Sequence, residues 1–382
     1  MPIIDADCHV IEAEHTWDYF IESEAQYRPL FLTTADATNG DARRFMAIDG
    51  RLRAESAANG EARTAQAVAA GSRTGTAADH PAAKPGGGKQ QAREIMSGYA
   101  QTTYAMRTMQ DIEGRLRHMD QLGVDIQVLY PTTMALGQIS PRPQVDVAMS
   151  RSYNRWLADV WARGHGRLRW IAVPGVLDMD AALEQVRWCA DHGACGVMLR
   201  GFEGDRILSD PFFFPMYKLA ESLNLPICVH SGGANPPYAS LIATSAWSSA
   251  KVPVISAFHH ILYAGIPDQF PKLRFGFIEA AAGWVPYVLT DLRRRMIRDG
   301  RKPLSATPLQ DNRLYVAAQT NDDLPYVLQH AGEDNLVIGS DYGHSDTASE
   351  LEALKLLQEK SPLPPAATRK MLDDNPRTLY GL

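Results

Sequence analysis

The chain opens on Ile3-Ile4-Asp5-Ala6-Asp7-Cys8-His9-Val10-Ile11-Glu12. Its apolar, β-branched character predicts a strand. Alternation along a strand puts Asp5, Asp7 and His9 on one face and Cys8 on the other. Ionisable groups aimed into a core need a compensating charge, and a divalent cation supplies one. His9 then stands at the C-terminal end of the strand, with Glu12 on the rim beyond it.

Seven further apolar runs of the same kind follow: Asp125–Pro131, Arg169–Pro174, Cys195–Arg200, Pro226–Ser231, Leu273–Glu279, Arg313–Gln319 and Asn335–Asp341. The segments between them read as amphipathic helices. In Gln110–Gly123, Ile112, Leu116, Met119 and Leu122 recur at helical spacing, and Ala181–Gly193 and Pro211–Asn224 behave similarly. Eight strands alternating with helices predict a parallel sheet closed into an α/β, (β/α)8 TIM barrel. Residues 1–382 are read as one metal-dependent barrel domain, with 30–105 an insertion or cap segment after the first strand. Within it, Ala54–Gln91 is rich in Ala, Gly, Thr and Arg and poor in large apolar residues, so it can bury little surface.

A net charge of −6 and 45% hydrophobic residues describe an ordinary globular chain and argue against a nucleic-acid or anionic-membrane partner. No apolar run approaches the ~18 residues of a membrane span. Asp5 and Asp7 stand where a signal peptide would need basic and then apolar residues. Cys8, Cys189, Cys195 and Cys228 form no CxxC pair and read as free buried thiols. The expectation is a cytoplasmic protein acting on a small molecule, with a homodimer the default assembly for this size and fold.

Three other strand ends carry metal-competent side chains: His230 after Cys228-Val229, Glu279 after Phe277-Ile278, and Asp341 after Gly339-Ser340, with His344 three residues on. One such residue is unremarkable. Four matching strand ends point to a metal centre on the rim where barrels place their chemistry.

These residues resemble the amidohydrolase-related family of the amidohydrolase superfamily, which includes metal-dependent aromatic-acid decarboxylases. The likeness runs through Asp7-x-His9-x-x-Glu12, Met119–Pro131, Val229-His230-Ser231-Gly232, Phe270–Phe275, Glu279 through Gly283-Trp284, Gly339-Ser340-Asp341 and Asp374–Leu382. The resemblance implies His9, His230 and Asp341 as metal ligands, with Asp7 in place of the first His of the common His-x-His. The chain departs from the family pattern in carrying Glu279 where many members have His, in adding Glu12, and in lacking a lysine at the end of strand 4 or 5. The candidate set Asp7, His9, Glu12, His230, Glu279 and Asp341 is carboxylate-rich and suffices for two divalent ions, Fe or Fe/Mn, with Zn or Mn the alternative. Glu12 or Glu279 would bridge the ions, or would orient a histidine or a bound water.

That ligand chemistry resembles non-heme diiron sites, and the sequence reading favours O2-dependent hydroxylation of a small, carboxylate-bearing substrate by an iron monooxygenase. The alternative is a metal-dependent hydrolase or non-oxidative decarboxylase of a cyclic or aromatic acid, with Asp341 as general base. His344 is a candidate proton shuttle. Arg200 is a candidate for holding a substrate carboxylate, and Tyr130 and Trp284 for an aromatic wall. Of His259 and His260, adjacent on a helix, at most one can face the site, and His260 is kept as a possible ligand or orienting group.

Overall fold

The computed structural model describes residues 2–35, 42–54, 101–135, 137–232, 247–344 and 349–382. Its centre is a parallel sheet of eight strands that follow one another in chain order. They are β1 (Ile4–His9), β2 (Ile126–Tyr130), β3 (Leu168–Ala172) and β4 (Ala194–Arg200). The sheet continues with β5 (Ile227–His230), β6 (Phe275–Ile278), β7 (Leu314–Ala318) and β8 (Leu336–Ile338). Each lies within, or within one residue of, a run legible in the sequence.

The ring closes where β8 meets β1. The Asp341 amide donates to the Asp7 carbonyl at 2.9 Å, and the His9 amide to the Tyr342 carbonyl at 2.6 Å. Gly339 makes this approach possible: a Cβ there would lie 2.3 Å from the Asp7 Cβ and 2.8 Å from the Asp7 backbone nitrogen.

Each strand is followed by a main helix, with short helical turns beside some of them. The main helices are α1 (Ile112–Leu122), α2 (Pro143–Arg163), α3 (Met179–Asp191) and α4 (Phe214–Ser222). The ring of helices is completed by α5 (Val252–Tyr263), α6 (Val285–Arg298), α7 (Leu324–Ala331) and α8 (Ala353–Lys360). Their starts are chemically marked. Asp111 caps α1 by accepting from the Gly114 amide, and Asp178 caps α3 by accepting from Ala181. Gly123 ends α1 in the left-handed region, at φ 71°. All strand residues are buried except Ile126 and Arg169, which are half-buried, and the helices turn an apolar face onto them. This is the two-layer core of an α/β TIM barrel.

The C-terminal helix Asn375–Tyr380 packs at the N-terminal end of the barrel, where Arg274, just before β6, donates to the Leu379 carbonyl at 2.9 Å. The Tyr380 hydroxyl reaches into the ring, donating to the Ala6 carbonyl at 2.7 Å and accepting from the Tyr130 hydroxyl at 2.9 Å.

Between β1 and α1 the described residues include an antiparallel sheet of Leu30–Ala35, Ala42–Ile48 and Arg51–Ala54, which the sequence reading did not resolve. Met46 and Ile48 bury into the main core. Asp49, at the turn, pairs with Ser140 and Arg142 on the loop after β2 and so fastens the sheet to the rim. The Ala54–Gln91 stretch, beyond Ala54 itself, lies outside the described residues. All four cysteines are buried free thiols. Among the described residues no helix is long and apolar enough to cross a membrane.

Candidate metal centre

β1, β5, β6 and the turn after β8 bring Asp7, His9, His230, Glu279 and Asp341 together at the C-terminal end of the barrel. Two overlapping groups result, Asp7–His9–His230–Glu279 and His9–Glu279–Asp341–His344, each with ligand atoms within 4.8 Å of one another. Asp7, His9, His230 and Asp341 are buried, and Glu279 is 9% exposed. The backbone is bent to achieve this. Glu279 and Asp341 both take left-handed conformations, at φ 60° and 52°. Such a backbone costs a non-glycine residue on the order of 1–3 kcal/mol, and this kind of strain concentrates at functional sites.

The hydrogen bonds of the two imidazoles fix what they present. His9 Nδ1 lies 2.8 Å from the Pro131 carbonyl, and His230 Nδ1 lies 2.9 Å from the Ser231 carbonyl. A carbonyl only accepts, so each Nδ1 carries the proton, and in the neutral ring each Nε2 presents a lone pair. His9 Nε2 faces Asp7 at 3.5 Å, Glu279 at 3.6 Å and Asp341 at 3.4 Å. His230 Nε2 faces Asp7 at 3.3 Å and Glu279 at 3.4 Å.

Lone pairs converging on lone pairs in a buried space require a cation among them. His9 Nε2 is buried and, among the described residues, has no hydrogen-bond partner. A divalent ion fits this donor set of nitrogen and oxygen atoms. Without the ion, protons take its place. Burial alone would lower the His9 imidazole, but Asp7, Glu279 and Asp341 hold it well above its usual value. Burial alone would raise the Asp7 carboxyl, but His230 and His9 hold it below the usual carboxylate range.

Asp341 is held from outside the cluster by Ser349, whose hydroxyl donates to Oδ2 at 2.6 Å. Its Oδ1 lies 2.7 Å from His344 Nδ1. His344 stacks on His9 at 3.7 Å between ring centroids, and its Nε2 lies 2.9 Å from the Thr132 hydroxyl. His344 thus stands against the cluster, where a proton-carrying group can serve it.

Other expectations are corrected. Glu12 joins neither group: its carboxylate accepts from the backbone amides of Thr132 (3.3 Å), Thr133 (2.8 Å) and Met134 (3.0 Å). Asp5 does not share the face of Asp7 and His9. The β1–β2 register shifts between Asp5 and Cys8, and this turns Asp5 onto Ser340, from whose amide (2.8 Å) and hydroxyl (2.5 Å) it accepts. Burial pushes the Asp5 carboxyl up to about 6, against the hydrogen bonds from Cys8 and Ser340.

Arg200 lines a cavity of about 200 Å³ with Asp146, Glu203 and Arg206. Its donors are committed to Glu203 and to the carbonyls of Met134 and Gly137, so it braces the rim. The Tyr130 ring packs 4.7 Å from His230. Trp284 donates to the Ala281 carbonyl and packs on Phe258. His259 pairs with Asp291 on α6 and His260 stands beside it, both outside the cluster.

Several residues around the centre were not singled out from the sequence. Arg115, buried in α1, donates to the His9 carbonyl at 3.1 Å and stacks over the Tyr342 ring. Glu203, Ser349 and Thr132 belong with it. Only Glu203, three residues after Arg200, carried any positional signal.

Comparison with known proteins gives the family and agrees with the fold. A family described as Amidohydrolase matches residues 4–382. Two curated relatives are each 26% identical over 183 residues. One is the 2-keto-4-carboxy-3-hexenedioate hydratase of Sphingobium sp. (strain NBRC 103272 / SYK-6), with 45% of this chain and 52% of the relative covered. The other is the gamma-resorcylate decarboxylase of Rhodococcus jostii (strain RHA1), with 44% and 54% covered. The chain therefore spans about half the length of the curated relatives it matches. Among solved structures, an amidohydrolase from Mycobacterium avium subsp. paratuberculosis K-10 superposes with a TM-score of 0.75 at 17% identity, covering 100% of this chain and 99% of that one. With a family match along nearly the whole length of an eight-stranded α/β barrel, the chain belongs to the amidohydrolase family.

Proposed function

We propose that this protein is a metal-dependent enzyme that acts non-oxidatively on a small organic acid, as a decarboxylase, hydratase or hydrolase. The observation that carries the reading is the pair of imidazoles, His9 and His230, each hydrogen-bonded at Nδ1 and turning Nε2 into a nest of carboxylates. The hydratase and decarboxylase relatives support this class over oxygenation.

A divalent ion held by Asp7, His9, His230 and Asp341 would supply Lewis acidity toward a carboxylate or carbonyl oxygen of the substrate. The chain's own groups do the rest. Asp341 and His344, 2.7 Å apart, form a pair that can take a proton from the reacting centre or return one to it. Ser349 keeps Asp341 turned toward His344 and His9. Glu279, at the junction of the two groups, adds negative charge that holds the cation.

Glu279 also carries the second reading. The two overlapping groups share His9 and Glu279, and the wider set, with His344 added, offers donors for two ions. A carboxylate-rich pair of that kind suits Fe or Fe/Mn and O2-dependent hydroxylation.

One assay separates the readings. Turnover of a panel of hydroxylated aromatic acids and unsaturated keto acids is measured under strict anaerobiosis, with Mn or Zn loaded. Undiminished turnover is the expected outcome. Turnover that vanishes without O2, with label from ¹⁸O2 in the product, would replace this proposal by the oxygenase.

A further inference from the structure

We propose that Glu12 is a positioning residue of the metal centre, acting on two imidazoles at once through the Pro131–Met134 loop. The inference rests on the metal-centre reading above and concerns how that centre is held in shape.

Glu12 is 1% exposed, and among the described residues its carboxylate is bound by the backbone amides of Thr132, Thr133 and Met134. An anion that accepts several backbone N–H groups pins the segment that offers them. The pinned segment follows β2 directly. It contributes two contacts to the centre, one from Pro131, just before the Glu12 nest, and one from Thr132, its first residue.

The first is the Pro131 carbonyl, 2.8 Å from His9 Nδ1, which holds the His9 proton on that nitrogen and leaves Nε2 facing the carboxylates. The second is the Thr132 hydroxyl. It donates its only proton to the Val10 carbonyl at 2.7 Å, so toward His344 it can only accept. His344 Nε2, 2.9 Å away, is therefore the donor, and His344 Nδ1 is turned to Asp341. The two rings so oriented are the stacked pair, with 27° between their planes. One buried carboxylate thus sets the orientation of a candidate ligand and of the proton-carrying group beside it. Removing it frees the loop amides, and with them both second contacts.

A carboxylate three residues after His9 has the look of a ligand in the sequence, but the ligand and positioning roles differ in what they predict. A ligand sets how many ions bind. A positioning residue sets how tightly and in what geometry they bind.

The test compares wild type, E12Q, T132V and the double variant, using Co(II) alone as probe. Three readouts are taken: Co(II) equivalents per chain, Co(II) affinity, and the visible absorption of bound Co(II), which reports ligand geometry. Amide exchange of residues 132–134 in the metal-free chain adds a reading that needs no metal. Thermal unfolding checks that each variant is folded.

The expected result for E12Q is an unchanged number of ions, affinity lower by about 10–100-fold, a shifted Co(II) spectrum and faster exchange at the three amides. T132V should weaken and shift the site in the same sense. The double variant should fall short of the product of the two single effects, because both act through one loop.

E12Q with wild-type affinity and spectrum but faster exchange would reduce Glu12 to a loop brace and overturn the proposal. Loss of one ion per chain would make Glu12 a ligand and also overturn it. If E12Q does not fold, an unaltered T132V site is the overturning result. A wild type that takes up no Co(II) defeats the metal-centre reading itself, and the positioning role falls with it. Binding by the wild type with indifferent variants defeats only the positioning role.

Discussion

His230→Ala should leave the purified protein with close to no divalent metal and should lower turnover by about 10³-fold or more, the scale of several kcal/mol of lost Lewis-acid stabilisation. His230 Nε2 sits between Asp7 and Glu279, at 3.3 and 3.4 Å, and its Nδ1 is already spent on the Ser231 carbonyl. Among the described residues, the side chain's other contacts are with the cluster and the Tyr130 ring. Alanine removes one of the two nitrogen donors that distinguish this nest from a plain acidic cluster. It also leaves Asp7 and Glu279 facing each other without the nitrogen that stands between them. Metal analysis of the variant beside the wild type, with thermal unfolding as control, checks the expectation. A variant that keeps its full metal content would remove His230 from the centre.

Gly339→Ala should be nearly as damaging, although Gly339 bears no functional group. Its Cβ would fall 2.3 Å from the Asp7 Cβ, with the Asp7 nitrogen and Cα at 2.8 and 2.9 Å. Neither strand can yield easily. The Asp341 amide is tied to the Asp7 carbonyl, and the His9 amide to the Tyr342 carbonyl, both just beyond the contact. The extra methyl must pry β8 from β1 at the place where three candidate ligands leave the two strands. Overpacking of this kind costs roughly 1–3 kcal/mol, and more where backbone opposes it. The expected result is a lowered melting temperature together with weakened metal binding. Gly283→Ala is the comparison, since its Cβ meets only the Asp322 side chain, at 3.3 Å. Equal stability and equal metal affinity for the two variants would show that barrel closure does not depend on this glycine.

The barrel was legible in the sequence because its strands are short apolar runs buried on both faces, and its helices show amphipathic spacing. Both patterns are local. The same holds for His9, His230, Glu279 and Asp341, each placed by its position at the end of such a run. What could not be read depends on contacts distant in sequence. Alternation gave Asp5 the face of Asp7 and His9, but a register shift in β1 handed it to Ser340, 335 residues away. Glu12 has the right spacing for a ligand, and nothing local shows that the amides of residues 132–134 claim it first. Arg200 stands at a strand end as a substrate-binding arginine would, yet Glu203 and two carbonyls take its donors. The strands Leu30–Ala35, Ala42–Ile48 and Arg51–Ala54 went unread because their signal is weak and lies beside a long stretch of low apolar content.

The preference for oxygenation drawn from the carboxylate count also moves. Of the four carboxylates counted, three reach the cluster, and the relatives are a hydratase and a decarboxylase. Fewer carboxylates, and relatives named as a hydratase and a decarboxylase, support the proposed Lewis-acid reading over oxygenation.

The central claim is that Asp7, His9, His230 and Asp341 hold a divalent ion at the C-terminal mouth of the barrel. Anomalous diffraction from crystals grown with Mn(II) tests it most directly. The account predicts a peak roughly 2.0–2.4 Å from His9 Nε2, His230 Nε2 and the Asp7 and Asp341 carboxylates. A map with no peak among these atoms, or with His230 and Asp341 more than about 8 Å apart and so too distant to share an ion, would contradict it.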